Sequence, residues 1–164
     1  MNTAIVYYSM SGNTAFAARR IAELLRADLI EIKPEKAYPD KGFRKFFWGG
    51  KSAVMAETPA LASFEFKAEK YEQIIFGFPV WAGNVAPPLR TFVRDRLEEI
   101  RGKRFAAFAC QSGSGAQKAF GKLAACLGID RFAAELVLID PKDRPKADTG
   151  EKIAAFCTAC GASG

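Results

Sequence analysis

The sequence predicts an α/β fold, a parallel sheet with helices on both faces. Three observations carry that expectation. Short apolar runs alternate with stretches of helical spacing along most of the chain, the order that builds parallel strands joined by crossover helices. The run Ile74 to Phe78 is continuously apolar, as a strand covered on both faces must be. The chain has 164 residues, 49% of them hydrophobic, which is one domain with room for a proper core.

The first strand is read over residues 3–8, where Ala4 to Tyr8 form an apolar run. It leads straight into a hydroxyl-rich loop of Ser9, Met10, Ser11, Gly12, Asn13 and Thr14. A helix is expected over 13–27, with Ala17, Ile21, Leu24 and Asp28 at helical spacing. A helix start leaves backbone N–H groups unpaired at the positive end of its dipole, and so offers a site for a phosphate. Ser9, Ser11 and Thr14 add hydroxyl donors, and Gly12 lets the backbone turn closely round an anion. The loop has no Lys or Arg, so hydrogen bonds rather than ion pairs are expected to hold the phosphate. The same turn also accommodates Asn13 or Ser11 as a simple N-cap.

A second strand is expected at 28–32 and a helix within the segment 33–66, at 42–56. The third strand, 73–78, ends in Pro79, Val80, Trp81, Ala82, Gly83 and Asn84, one large aromatic among flexible and polar positions. Pro87 and Pro88 follow, with a helix over 86–99. A fourth strand at 103–110 ends at Cys110 and opens into Gln111, Ser112, Gly113, Ser114 and Gly115, followed by a helix over 115–128. A strand at 132–139 and a helix at 149–160 complete the alternation.

Three segments together resemble the flavodoxin family: Ser-x-Ser-Gly-Asn-Thr after the N-terminal strand, Gly77-Phe-Pro79-Val-Trp81, and the Gly/Ser loop after Cys110. The resemblance covers nearly the whole chain and is weakest over 33–66. It implies a flavodoxin-like three-layer sandwich, with five parallel strands in the order 2-1-3-4-5 and the ligand at the carboxyl ends of strands 1, 3 and 4. The uninterrupted run Phe132 to Ile139 is similar to the short-chain form. The implied cofactor is FMN, one per chain and preferred to FAD. Its phosphate would lie in the loop Ser9 to Thr14. Pro79 to Asn84 would pack against the isoalloxazine ring, and Cys110 to Gly113 would close the other side. The implied function is electron transfer to or from a redox partner protein. The alternative on the same fold is an NAD(P)H-dependent FMN or quinone reductase.

Two features depart from that family. Electron-carrier flavodoxins are typically acidic, whereas this chain carries a formal net charge of +6. Their fourth-strand loop commonly has an aromatic over the flavin, and Gln111 to Gly115 has none. Much of the basic excess lies in residues 33–51, with six Lys or Arg against two acids, interleaved with Phe43, Phe46, Phe47 and Trp48. That pattern is read as an amphipathic helix with solvated charges rather than a nucleic-acid surface.

The residues argue against other chemistries one by one. The chain has no histidine, which removes His-dependent nucleophilic triads and His-ligated metal sites. Cys157-Thr-Ala-Cys160 lies late in a helical pattern rather than at a helix start, and no second cysteine pair completes a zinc site. Gly49-Gly50-Lys51-Ser52 imitates the end of a nucleotide-binding P-loop, but Lys45 stands where the first glycine belongs. A receiver-type signalling module needs carboxylates after the first strand, where Ser9-Met10-Ser11 stands instead. No apolar stretch reaches the length of a membrane span, and no basic-then-apolar leader opens the chain, so a cytoplasmic protein is expected. The sequence leaves the oligomeric state open.

Overall fold

The structure, a computed structural model, describes residues 1–38 and 58–161. The expected helix at 42–56 and the P-loop imitation at Gly49 to Ser52 lie outside the described residues.

Five strands run parallel: β1 (Thr3–Tyr7), β2 (Asp28–Glu31), β3 (Gln73–Trp81), β5 (Arg104–Gln111) and β6 (Glu135–Ile139). Their order is β2-β1-β3-β5-β6, which is the expected order of five. The structure adds a sixth, β4 (Asn84–Val85), paired antiparallel to the end of β3. Among the described residues, four helices alternate with the strands: α1 (Asn13–Leu25), α2 (Pro87–Ile100), α3 (Ala116–Leu127) and α4 (Thr149–Gly161). A short 3-10 turn, Ala68–Lys70, precedes β3.

Period-two alternation along the strands divides the core into two layers. Ala4, Val6, Ile74, Phe76, Phe78, Phe105 and Ala107 face α2 and α3, where Leu89, Phe92, Phe120 and Leu123 meet them. Ile5, Tyr7, Ile75, Ala106, Phe108 and Cys110 face α1 and α4, against Ala18, Ile21, Ile153 and Phe156. Both faces of β1, β3 and β5 are therefore buried, which explains the unbroken apolar runs. Gly77 shows how tight this layer is. A Cβ built on it would lie 2.2 Å from Cζ of Phe108, so the missing side chain makes room for that ring.

Two boundaries differ from expectation by three residues, and the others lie within two. β3 continues to Trp81 instead of ending at Phe78, because residues 81–84 form a two-residue hairpin. Its central residues, Ala82 and Gly83, both have positive φ, 50° and 71°. Such a turn matches the right-handed twist of the flanking strands. At the other end, β6 starts at Glu135 rather than 132. The backbone already meets β5 earlier, through Ala133 N–H to the Phe105 carbonyl at 2.8 Å. Phe132, however, turns into the α3 layer against Phe120, with ring centres 6.2 Å apart.

The segment between β2 and β3 is fastened where it leaves and rejoins the described structure. Pro34 and Leu61 form an antiparallel bridge. Glu35 N–H donates to the Ala60 carbonyl and Ala62 N–H to that of Lys33, each at 2.8 Å.

Candidate functional site

A cleft opens at the carboxyl ends of the parallel strands. Four loops line it: Met10, Ser11, Asn13 and Thr14 after β1; Pro79, Val80 and Trp81 at the end of β3; Cys110, Gln111 and Ser112 at the end of β5; Asp140 and Asp143 after β6. The first three are those singled out in the sequence. The fourth is not, since nothing in the local pattern of residues 140–144 marks it.

The loop after β1 is organised around a helix start. Gly12 caps α1 with φ of 96°, a left-handed conformation that suits glycine. Ser9 Oγ accepts the N–H of Ala15 at 3.1 Å, which leaves its own hydroxyl hydrogen free to donate. Among the described residues, the N–H groups of Ser11, Gly12, Asn13 and Thr14 have no protein partner. Thr14 is only 2% exposed, and its hydroxyl lies beside the thiol of Cys110.

Asn13 ties this loop to the one after β6. Its Oδ1 accepts the N–H groups of Lys142 at 2.8 Å and Asp143 at 3.2 Å. Its Nδ2 donates to Asp143 Oδ2 at 3.0 Å and to Ser11 Oγ at 3.3 Å. The same connection brings a cation to a loop that has none of its own. The Lys142 side chain crosses Gly12, and a Cβ there would lie 2.9 Å from Lys142 Nζ. The loop itself has no Lys or Arg, and the cation beside it comes from a residue far along the chain.

The opposite rim is built by aromatic and polar contacts. Trp81 meets Tyr8 and Tyr38 edge-on, at 5.9 and 5.5 Å between ring centres. Gln111 Oε1 accepts the N–H of Ala116 at 3.0 Å and so caps α3. Asp140 pairs with Arg144, and Ser112 Oγ donates to Asp140 Oδ1 at 3.2 Å. Burial pushes the Cys110 thiol up to about 12, with the Asp140 carboxylate adding to that and the Thr14 hydroxyl opposing it. Cys110 is thus a protonated, inert wall of the cleft at neutral pH.

Not every residue singled out in the sequence lines the cleft. Ser9, Gly12 and Gly113 stand behind or beside it. Ala82, Gly83 and Asn84 form the β3–β4 turn, which seats on α3. Asn84 is 4% exposed, donates to the Ala82 carbonyl at 2.9 Å and accepts from Lys122 Nζ. Gly83 lies under the Lys118 side chain and close to Gly115.

The family model for flavodoxin matches residues 2–140. The chain belongs to the flavodoxin family. Solved structures share the fold. One is a flavoprotein from Lactobacillus acidophilus in complex with FMN, 23% identical, covering 87% of this chain and 95% of its own, with a TM-score of 0.70. Another is oxidised flavodoxin 1 from Bacillus cereus, 20% identical, covering 99% of both chains, with a TM-score of 0.61. A third is the two-electron reduced flavodoxin of Megasphaera elsdenii, 14% identical, covering 98% and 99%, with a TM-score of 0.58. A search of the curated proteins finds no match.

The cleft of this flavodoxin-family chain has the donor set that a flavin phosphate requires. Ser11, Asn13 and Thr14, whose N–H groups have no partner among the described residues, line one end, and the Lys142 ammonium lies beside it over Gly12. A half-apolar slot between Trp81 and Cys110 continues from it. Among the described residues, no helix is long and apolar enough to cross a membrane.

Proposed function

We propose that this protein binds FMN in the cleft at the strand ends and uses it to carry electrons to or from a redox partner protein. One observation carries the reading: the unpaired N–H groups of Ser11 to Thr14 at the start of α1 open into a cleft walled by Trp81. The N–H groups of residues 11–14 and the Ser11 hydroxyl hold the phosphate, and Ser9 fixes the turn through the Ala15 N–H. Met10, Pro79, Val80 and Trp81 flank the ring on one side, and Cys110, Gln111 and Ser112 on the other. Thr14 lines the phosphate end of the cleft beside Cys110. Asn13 acts by holding two loops together, and Ala82 to Asn84 by fixing the turn that presents Trp81. The bound flavin would supply one- and two-electron chemistry. The family match and the FMN complex of the Lactobacillus relative support the assignment.

Denaturing the purified protein should release FMN, up to one per chain, and the flavin should be reducible and reoxidisable in place. Protein that neither carries flavin nor takes up added FMN contradicts the reading. The reductase alternative draws on the exposed, aromatic-free Ser112 to Ser114, which leaves a path for a small hydride donor. Rapid oxidation of NADH or NADPH by the FMN-loaded protein favours it. Absence of that oxidation, with prompt electron exchange to a protein partner, favours the carrier.

A further inference from the structure

We propose that Lys142 supplies the positive charge for the FMN phosphate and thereby makes the site selective for the phosphorylated flavin. The inference rests on the FMN reading and assigns a residue to it that no segment around the phosphate loop contains.

The placement follows from three contacts. Asn13 Oδ1 takes the N–H groups of Lys142 and Asp143, which anchors the loop after β6 directly beside the start of α1. From that anchor the Lys142 stem runs over Gly12, where a Cβ would meet Nζ at 2.9 Å, Cδ at 3.3 Å and Cε at 3.6 Å. Glycine at position 12 thus serves the left-handed turn and also leaves the space that the lysine occupies.

The surrounding charges leave this ammonium uncommitted. Loop residues 140–144 contain two acids and two bases. Asp140 is paired with Arg144. Asp143 accepts the amide of Asn13. Among the described residues, Lys142 Nζ has no ion-pair partner. An unpaired ammonium beside unpaired N–H groups and the positive end of a helix is a poor arrangement until an anion arrives. A phosphate there relieves that repulsion and gains a charge-assisted hydrogen bond.

The test compares FMN with riboflavin, which lacks the phosphate, by quenching of flavin fluorescence at low and high salt. Lys142→Gln should weaken FMN by about three- to fivefold at low salt, discounted from a buried pair because the side chain is exposed. Riboflavin affinity should stay within about twofold, and the difference for FMN should shrink as salt screens the pair. Lys142→Arg should retain most of the FMN preference. Lys67→Gln removes an equal charge from an exposed side chain next to the 3-10 turn before β3, and should change neither ligand. The proposal is overturned if Lys142→Gln keeps the wild-type ratio of FMN to riboflavin affinity, or loses both ligands equally. Wild-type protein that binds riboflavin but not FMN, or neither, sinks the FMN reading itself and this proposal with it.

Discussion

Removing Asn13 should loosen the two loops that frame the phosphate end of the cleft. In Asn13→Ala two backbone N–H groups, of Lys142 and Asp143, lose their acceptor. Each such bond contributes about 0.5–1.5 kcal/mol net. The amide also donates to the Asp143 carboxylate, an interaction reduced here because Asp143 is exposed. The sum is a loss of about 2–4 kcal/mol in a protein whose total stability should be about 5–15 kcal/mol. With a urea slope of about 2 kcal/mol per molar, the unfolding midpoint should fall by about 1–2 M. Far-UV circular dichroism of flavin-free protein in urea reads this directly. FMN affinity should fall in the same variant, since Lys142 and the N–H groups of the helix start lose their shared anchor. Asn13→Asp is a sharper variant, because it keeps Oδ1 but sets a carboxylate against Asp143. It should be no better than alanine in urea midpoint or in FMN affinity. An Asn13→Ala midpoint within a few tenths of a molar of wild type, with FMN affinity intact, would refute the reasoning.

Other outcomes follow from individual contacts. Ser11→Ala should weaken FMN about tenfold and leave riboflavin unchanged, since its hydroxyl accepts from Asn13 and keeps its own hydrogen for the phosphate; parallel flavin titrations check this. Gly77→Ala should lower stability by about 1–3 kcal/mol, because the new methyl meets the Phe108 ring in a packed layer; calorimetry should show the melting temperature falling by several degrees. Ala82→Asn should raise stability by about 1 kcal/mol, since position 82 has φ of 50° and asparagine tolerates that conformation better, and urea midpoints test it. Burial raises the Cys110, Cys157 and Cys160 thiols to about 12, 11 and 12, so all three stay protonated at pH 8 and should resist a maleimide in the folded protein. Reaction should appear only on unfolding or as pH rises towards those values, and rapid native labelling of any of the three would contradict this.

The fold was legible in the sequence because its signals are local. Each of the three expected site loops is one continuous stretch: an apolar strand, a run of hydroxyl or glycine residues, and a helix. Sheet order came with the family resemblance, and the five parallel strands follow it. The sixth strand was hidden because Ala82 occupies a turn position that usually announces itself with Asn or Asp. The start of β6 was misjudged because Phe132 is as apolar as a strand residue but packs into the helix layer. At the site, the decisive omission was the loop after β6. Lys142 and Asp143 reach Asn13 across 129 and 130 positions, and no local pattern encodes that meeting. The lack of a basic residue is true of the segment, while Lys142 lies over Gly12 from far along the chain. Asn84 looked like a ligand-facing polar residue for the opposite reason. Its partners, the Ala82 carbonyl and Lys122, could be identified only once the hairpin had been placed on α3.

The central claim is that this cleft holds one FMN per chain through its phosphate. Titrating flavin-free protein into FMN, FAD and riboflavin and following flavin fluorescence tests it most directly. The account expects quenching by FMN that saturates at one flavin per chain, with weaker binding of FAD and riboflavin. Unquenched FMN at micromolar protein, or FAD and riboflavin bound as tightly as FMN, would contradict it.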